Sequence, residues 1–174
     1  MAANVENNSH QYLSFVMSGE TYAMPITTVR EVLTVPKLTF IPQMPSFMRG
    51  IINVRGTGVP IIDLRKKLGL GETSLDTLTA IIIIELSSDD STSGNLLHIG
   101  IFADVVKKVI DLSAGEIEPP PKIGTQLDSS YILGIGHIEN EFIVILDIGK
   151  IFMNDNLSLI ADPESTTPEQ APGY

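Results

Sequence analysis

Two aspartates in similar sequence contexts are the first candidates for acid–base chemistry. Asp63 and Asp147 each end an apolar run and precede a short segment with helical character. An aspartate in that position accepts hydrogen bonds from the first N–H groups of a helix, so both are predicted to be helix N-caps. A small hydrolase that uses Asp63, Asp147 or a histidine is an alternative, although no nucleophile and base have the spacing of a catalytic pair. We therefore predict no catalytic residue.

Three histidines are the remaining candidates for metal or proton chemistry. They are His10, His98 and His137. They are widely separated in the sequence, and the chain contains no cysteine that could join them in a metal site. Spacing of this kind does not match that of a metal-ligand cluster. The sequence therefore predicts no metal and no cofactor.

The charge balance restricts the partners of the protein. The formal net charge of the 174 residues is −10, and four acidic residues lie in the last 21, which leaves −6 for residues 1–153. An acidic surface repels nucleic acid and anionic lipid, and the one dense basic cluster, residues 65–67, is small. A small β-barrel that binds single-stranded nucleic acid is a second alternative, but the chain lacks tryptophan for base stacking. We predict no nucleic-acid partner.

Membrane insertion is not expected either. The N-terminus has neither the basic nor the apolar region of a signal peptide, and the longest apolar run, residues 80–86, is too short to span a bilayer. The absence of cysteine fits a reducing compartment. The sequence therefore favours a soluble, cytoplasmic protein with no direct membrane insertion.

Short apolar runs separated by turn residues dominate the rest of the chain. Pairs of such runs predict four hairpins, at 11–17 with 20–26, 50–54 with 58–63, 78–86 with 96–104, and 131–138 with 141–147. The polar stretch 87–95 is predicted to be a loop, and the proline-rich stretch 116–122 an extended connector. Thr28 and Glu31 have the spacing of a capping box, which predicts a short helix there. The fold class is therefore mainly β.

The sequence also repeats itself. With a shift of 84 residues, "GIINVRGTGVPIIDLRKKL" aligns with "GIGHIENEFIVILDIGKIF", which superposes Gly50 on Gly134, Gly56 on Asn140 and Asp63 on Asp147. Glycine and asparagine tolerate the positive φ of a tight hairpin turn, so these positions are predicted to be structural. With a shift of 77, residues 26–33 align with 103–110, which predicts a short helix in both places. The chain is therefore predicted to consist of two related halves that share a core, with a groove at their junction.

The repeat leaves two interpretations of Arg55 open. Arg55 aligns with Glu139, and Glu31 aligns with Lys108. The residues can form a surface ion pair, Glu31 with Arg55, that has a sign-swapped counterpart in Lys108 with Glu139. Alternatively, Arg55 is a residue that binds a partner and is held in place by Glu31.

Four stretches resemble the CheW family of chemosensory coupling proteins. They are "YAMPITTVREVL", "PSFMRGIINVRGTGVPIIDLRKKLGL", "IGIFADVVKKVI" and "YILGIGHIENEFIVILDIGKIF", and they occur in the family's order over residues 10–153. The resemblance implies two packed SH3-like five-stranded β-barrel subdomains with short helices. It also implies a non-enzymatic scaffold that couples the cytoplasmic tip of chemoreceptors to the regulatory domain of a CheA-like histidine kinase, recruited to membrane-associated receptor arrays.

The resemblance also assigns residues. Val29 and Glu31 in "VREV", and Arg55 in "NVRG", match family positions implicated in receptor binding, whereas no residue can be assigned to kinase binding. The pattern alone favours Val29 as a core residue, and Glu31 can be a capping residue, a contact residue or both. The predicted organisation is a disordered N-terminus at 1–9, a CheW-like domain of two intertwined barrel halves at 10–153, and an acidic disordered tail at 154–174.

Overall fold

A computed structural model describes residues 9–87, 96–120 and 129–152 of the chain. The predicted disorder of the N-terminus and of the tail falls on residues outside these ranges, except that the first strand already includes residue 9. Most of the predicted 87–95 loop also lies outside the described residues. The boundaries 10–153 of the predicted domain therefore stay a prediction.

Within the described ranges the chain is built almost entirely of strands. The eleven strands are β1 (Ser9–Met17), β2 (Glu20–Pro25), β3 (Val29–Thr34), β4 (Met48–Val54), β5 (Thr57–Ile62), β6 (Ala80–Ser87), β7 (Leu96–Ala103), β8 (Val105–Ser113), β9 (Ile117–Glu118), β10 (Ile132–Ile138) and β11 (Glu141–Leu146). The two short α-helices are α1 (Leu64–Lys67) and α2 (Ile148–Phe152). Single 3-10 turns occur at Ile26–Thr28, Ala114–Glu116 and Ser129–Tyr131. The predicted mainly β fold with short helices is confirmed.

The strands form two sheets, and each sheet contains strands from both halves of the repeat. The order is β8-β1-β2-β11-β10-β9 in one sheet and β3-β6-β7-β5-β4 in the other. Hairpin β1–β2 of the first half therefore lies beside hairpin β10–β11 of the second half. Hairpin β6–β7 of the second half likewise lies beside β4–β5 of the first. The halves meet in two antiparallel pairs, β1 with β8 and β3 with β6, and in two parallel pairs, β2 with β11 and β5 with β7.

The 84-residue repeat is visible in the hydrogen-bond register of two hairpins. In β4–β5, Met48 pairs with Ile62, Gly50 pairs with Ile61, and a bulge separates the two pairs. In β10–β11 the same pairing and the same bulge occur 84 residues later. Both turns have two consecutive residues with positive φ, at 55–56 and at 139–140, which is the two-residue turn that suits the twist of a hairpin. The two hairpins are copies of one unit.

Three apolar clusters make up the core. The largest lies between the two sheets and receives side chains from both sheets and from both α-helices. A second cluster lies on the opposite face of the six-stranded sheet, and a third on the opposite face of the five-stranded sheet. Each sheet is therefore buried on both faces, which explains continuous apolar runs such as Ile81–Ile84.

The predicted helices after the first hairpin of each half are wrong. Residues 29–34 form strand β3 and residues 105–113 form β8, and only the 3-10 turn Ile26–Thr28 precedes β3. The aligned segments are rich in valine, whose branched Cβ favours a strand. In β3 the alternation of half-buried and exposed side chains follows a period of two, which a helix cannot satisfy. Glu31 is therefore not part of a capping box.

The predicted extended connector at 116–122 is only partly correct. Ile117 and Glu118 form the short edge strand β9, which pairs with Gly136 and Ile135 of β10. A capping box does occur just before it, where the Ser113 hydroxyl donates to the Glu116 carboxylate at 2.8 Å and that carboxylate accepts from the Ser113 N–H. Residues 121–128 lie outside the described ranges.

Gly50 allows the chain before β4 to approach the sheet closely. Its φ is +142°, and a Cβ at this position would lie 2.7 Å from the carbonyl oxygen of Thr39. That carbonyl accepts a hydrogen bond from the N–H of Ile51 at 2.9 Å, so it is not free to move away.

We expect Gly50→Ala to lower the free energy of unfolding by about 2 kcal/mol, because the methyl group meets fixed backbone at an unfavourable φ. Urea denaturation of the purified chain measures this change. Gly115→Ala is the matched control, since a Cβ at Gly115 meets nothing within 4 Å, and its effect should stay within about 0.5 kcal/mol. Equal unfolding midpoints for the two variants would contradict the close approach at Gly50.

Candidate functional site

Arg55 and Glu31 form a bidentate ion pair on the surface. The two guanidinium nitrogens Nη1 and Nη2 of Arg55 donate to Oε1 and Oε2 of Glu31 at 2.9 and 2.8 Å. Parallel bonds of this kind fix the relative orientation of both side chains. The Arg55 side chain remains 71% exposed, whereas that of Glu31 is 20% exposed. The arginine therefore presents most of its surface to a partner while the glutamate holds it.

The pair also joins the two edges of the five-stranded sheet. Glu31 lies on β3, which is one edge strand, and Arg55 lies in the turn after β4, which is the other. A side-chain link between opposite edges requires the sheet to curl toward closure. The backbone bridge between Thr39 and Ile51 adds a second connection on the β4 side.

Electrostatics keeps both members of the pair charged. The hydrogen bonds from Arg55, together with its positive charge and those of neighbouring cations, lower the pKa of Glu31 below the usual glutamate value. The same hydrogen bonds raise the pKa of Arg55. The pair is therefore a permanent dipole at neutral pH.

Val29 lies where the site meets the central core. It is half-buried, it precedes a bulge between β3 and β6, and it packs against the apolar cluster between the sheets. The core interpretation of Val29 therefore holds for the buried part of its side chain. The structure brings Glu31 and Arg55 together, whereas Val29 lies two residues before Glu31 on β3 and packs on the central core.

A second charged group beside this site was missed in the sequence. Arg30 donates to the carboxylate of Glu85 at 3.1 Å, and the His98 ring nitrogen lies 3.4 Å from the same carboxylate. The three residues come from neighbouring strands β3, β6 and β7. Only the pairing of these strands brings them together, so no spacing along the chain could have indicated the group.

The sign-swapped counterpart of the ion pair, which the repeat predicted between Lys108 and Glu139, does not form in the described structure. Neither Lys108 nor Glu139 takes part in an ion pair with the other within the described chain. Lys107 instead lies 3.7 Å from Glu141 and also donates to the Thr21 hydroxyl at 3.3 Å. Lys108 has an exposed side chain on β8, and its backbone bonds to the Ser14 hydroxyl. The two halves therefore differ where the repeat predicted equivalence.

Asp63 and Asp147 also differ in their surroundings. Both accept from the N–H of the third helical residue, Lys66 at 3.5 Å and Lys150 at 3.1 Å. Asp63 is fully buried and additionally accepts from Arg49 at 2.9 Å and from the N–H and hydroxyl of Thr73 at 2.9 and 2.7 Å. A carboxylate with its lone pairs occupied and no solvent access cannot serve as a general base, which counts against the hydrolase alternative.

An apolar strip on the β10–β11 hairpin is a surface feature that the sequence did not reveal. Phe142 is 64% exposed, Leu133 is 47% exposed, and the Phe142 ring stacks on His137 with centroids 5.0 Å apart. The equivalent positions of the β4–β5 hairpin, Arg49, Asn53 and Gly58, carry polar or no side chains. The fold therefore does not require an apolar strip here.

The described part of the chain has neither a metal-ligand cluster nor a membrane-spanning helix. Residues 9–87, 96–120 and 129–152 contain no cluster of three or more histidine and acidic side chains that could bind a metal ion. None of the helices in these ranges has the length and apolar character needed to cross a bilayer.

The fold and its exposed ion pair define a small β-rich binding module. The chain belongs to the CheW-like family, because the family model for the CheW-like domain matches residues 11–155. The chain is 30% identical over 155 residues to a chemotaxis protein CheW of Klebsiella aerogenes, covering 89% of each chain. It is also 30% identical to a chemotaxis protein CheW of Bacillus subtilis, covering 98% of this chain and all of that relative.

A solved structure supports the same assignment. The scaffolding protein TtCheW from Thermoanaerobacter tengcongensis matches with a TM-score of 0.70 and 33% identity, covering 82% of this chain and 87% of that one. The two-subdomain fold implied by the sequence resemblance is thereby confirmed.

We expect Asp63→Asn to lower the free energy of unfolding by about 3 kcal/mol, because it removes the charge that pairs with Arg49 inside the core. Asp147→Asn is the control from the repeat. Asparagine is as good a cap as aspartate, so this change should cost less than about 0.5 kcal/mol. Urea denaturation of both variants compares them directly, and equal losses would contradict the difference in burial.

The lowered pKa of Glu31 predicts a pH dependence with a definite sign. A depressed carboxyl pKa stabilises the fold above the unfolded-state pKa of about 4.3, and this contribution is lost as the pH falls through the folded-state pKa. In Arg55→Ala the Glu31 pKa should rise toward its ordinary value. An NMR titration of the Glu31 carboxyl carbon in both proteins tests this.

Lys107→Ala is the control for that titration, because its ion pair belongs to the other sheet and should leave the Glu31 curve unchanged. An unaltered Glu31 midpoint in Arg55→Ala would show that the bidentate pair does not form in solution.

Proposed function

We propose that this protein is a non-enzymatic adaptor that couples chemoreceptors to the histidine kinase CheA, and that Val29, Glu31 and Arg55 bind the receptor. The observation that carries the proposal is the exposed, bidentate Arg55–Glu31 pair beside the half-buried Val29, in a chain of the CheW-like family. Relatives named as chemotaxis and scaffolding proteins support the adaptor role. The finer partners are the cytoplasmic receptor tip and the regulatory domain of the kinase.

The repeat supports a binding role for Arg55 over a structural one. The equivalent turn position holds Glu139 with φ 48°, close to the 50° of Arg55. The turn therefore accepts either charge, and nothing in the hairpin requires a cation. The hairpin does not need Arg55, whose side chain is largely exposed and is held rigidly by Glu31. A side chain of this kind suits recognition of a charged partner.

The chemistry of the site fits a helical partner. Val29 offers apolar surface continuous with the core, and the ion pair, which includes Glu31 two residues along β3, supplies charges of both signs. An amphipathic receptor helix presents an apolar stripe flanked by charged residues, so both features find a counterpart. An adaptor of this kind works in the cytoplasm and reaches the membrane only through receptor arrays.

The two alternatives are not favoured. A nucleic-acid-binding barrel needs a basic groove with aromatic platforms, and the site instead combines one cation with one anion. A hydrolase needs an accessible base, and Asp63 is enclosed while Asp147 caps a helix.

We expect Arg55→Glu to reduce receptor binding at least about tenfold, because two carboxylates then face each other where the ion pair stood. Kinase binding and stability should stay near wild type. Glutamate fits the turn, as Glu139 shows, so the variant should fold. Pull-downs with purified receptor fragments and with the kinase regulatory domain measure both interactions separately.

The swapped double variant Glu31→Arg/Arg55→Glu restores the ion pair but reverses its direction. It should keep the stability near wild type without recovering receptor binding. Lys107→Glu is the matched control for a charge reversal elsewhere. Full receptor binding by Arg55→Glu, or the same loss in Lys107→Glu, would rule out a specific role for Arg55.

A further inference from the structure

A second surface arginine is held in the same way as Arg55. Arg30 donates from Nη1 to Oε2 of Glu85 at 3.1 Å, and the Nε2 atom of His98 lies 3.4 Å from the same carboxylate oxygen. The Arg30 side chain is 48% exposed and that of Glu85 is 28% exposed. As in the pair of Arg55 with Glu31, the arginine is therefore the more exposed member and the carboxylate holds it from below.

The two held arginines lie on the same face of the five-stranded sheet. Glu31 of β3 is paired with Ile83 of β6, and side chains paired in this way share a face. Glu85 is two residues beyond Ile83 on β6, so it shares that face too. Arg30 is the unpaired residue of the β3 bulge, and its guanidinium reaches Glu85 on this face. Diagonal neighbours such as Glu31 and Glu85 are about 7–8 Å apart, so the two ion pairs are adjacent.

This surface turns its positive side outward. Both carboxylates are less exposed than their arginines, and their oxygens accept from the guanidinium groups. The hydrogen bonds of Arg30 to described residues leave from Nη1 alone, so its Nε and Nη2 donors are available to a partner. A guanidinium with such donors suits bidentate recognition of a carboxylate. The surface therefore fits an acidic segment of a partner, in a protein whose own net charge is −10.

The other ion pairs of the described ranges lack this arrangement. The two remaining arginines of the chain, Arg49 and Arg65, are mostly buried beside their acceptors. Lys107, which the 77-residue shift of the repeat aligns with Arg30, lies 3.7 Å from Glu141 and is less exposed than that carboxylate. An exposed arginine held by a less exposed carboxylate is therefore a property of the face that contains Arg55, and the repeated backbone does not require it.

We propose that Arg30 is a second receptor contact, which binds an acidic side chain next to the one that Arg55 binds. The inference rests on the proposed function, because it extends the same receptor site. Glu85 and His98 are positioning residues that act through Arg30. Two arginines at a fixed separation recognise two acidic residues at a matching separation, so Arg30 contributes to the choice between receptors.

The test measures the affinity of the full-length protein for a purified cytoplasmic receptor fragment by isothermal titration calorimetry. Arg30→Gln removes one exposed ion contact and should weaken receptor binding about fivefold. Binding of the kinase regulatory domain and the urea midpoint should stay near wild type. Lys107→Gln is the matched control, since it removes the cation at the aligned position of the other half, and it should leave receptor binding unchanged.

A double-mutant cycle tests the positioning role of Glu85. Glu85→Gln loosens Arg30 without removing its charge, so it should weaken receptor binding by a smaller factor than Arg30→Gln. In a chain that already contains Arg30→Gln, the same change should have no further effect on receptor binding. Additive losses would show that Glu85 does not act through Arg30 and would contradict its positioning role.

Charge reversal in the receptor identifies the contacts. Each acidic residue at the tip of the receptor fragment is replaced in turn by lysine, and each variant is tested against Arg30→Glu and Arg55→Glu. One replacement should restore binding to Arg30→Glu, and a different one should restore binding to Arg55→Glu. Rescue of both variants by the same replacements, or of neither, would contradict two separate acidic contacts.

The remaining outcomes separate this inference from the proposed function. Wild-type receptor affinity in Arg30→Gln, together with a loss in Arg55→Glu, overturns the inference and leaves the proposed function standing. Equal losses in Arg30→Gln and Lys107→Gln show a general charge effect and also overturn it. A loss of kinase binding with intact receptor binding assigns Arg30 to the kinase instead. Absence of receptor binding by the unmodified protein overturns both proposals.

Discussion

The apolar layer between the two sheets is the feature on which the rest of the molecule depends. Phe15, Met17 and Met24 enter it from one sheet, Ile82, Ile84 and Ile101 enter it from the other, and both α-helices cover it. Because the two halves exchange their first hairpins, neither sheet can form from one half alone. Folding the first half therefore requires strands of the second, and burial of the apolar side chains of this layer favours the exchange.

The two parallel pairings, β2 with β11 and β5 with β7, join hairpins that belong to different halves. Ile145 pairs with Ala23 in one sheet and Ile61 with Gly100 in the other, and the two pairs are related by the two shifts of the repeat. Gly100 is needed at its joint because a Cβ there would approach the side chain of Ile81 at 2.8 Å. The repeated unit therefore sets both the register of the hairpins and the contact between them.

The residues proposed to bind the receptor lie where the two halves differ. The turn of one hairpin carries Arg55, paired across the sheet edges with Glu31, whereas the other turn carries Glu139. One capping aspartate is enclosed by Arg49 and Thr73, and the other is a simple cap. A duplicated fold needs only equivalent backbone geometry in its two halves, so side chains that break the equivalence are free to serve a partner or to stabilise one half.

Local patterns were sufficient to predict the hairpins, their tight turns at 55–56 and 139–140, and the aspartate caps of α1 and α2. Each of these depends on interactions within a few residues, such as positive φ at a turn or one side chain accepting from a helix N–H. The same patterns predicted helices at β3 and β8 and paired Lys108 with Glu139, and both predictions were wrong. Edge strands obtain their hydrogen bonds from distant strands, and Lys107 meets Glu141 only because of how the sheet curls. Strand order also decides three features that the sequence did not indicate. They are the group of Arg30, Glu85 and His98, the enclosure of Asp63 and the exposure of Phe142. Residues far apart in the chain become neighbours only when the two halves exchange hairpins.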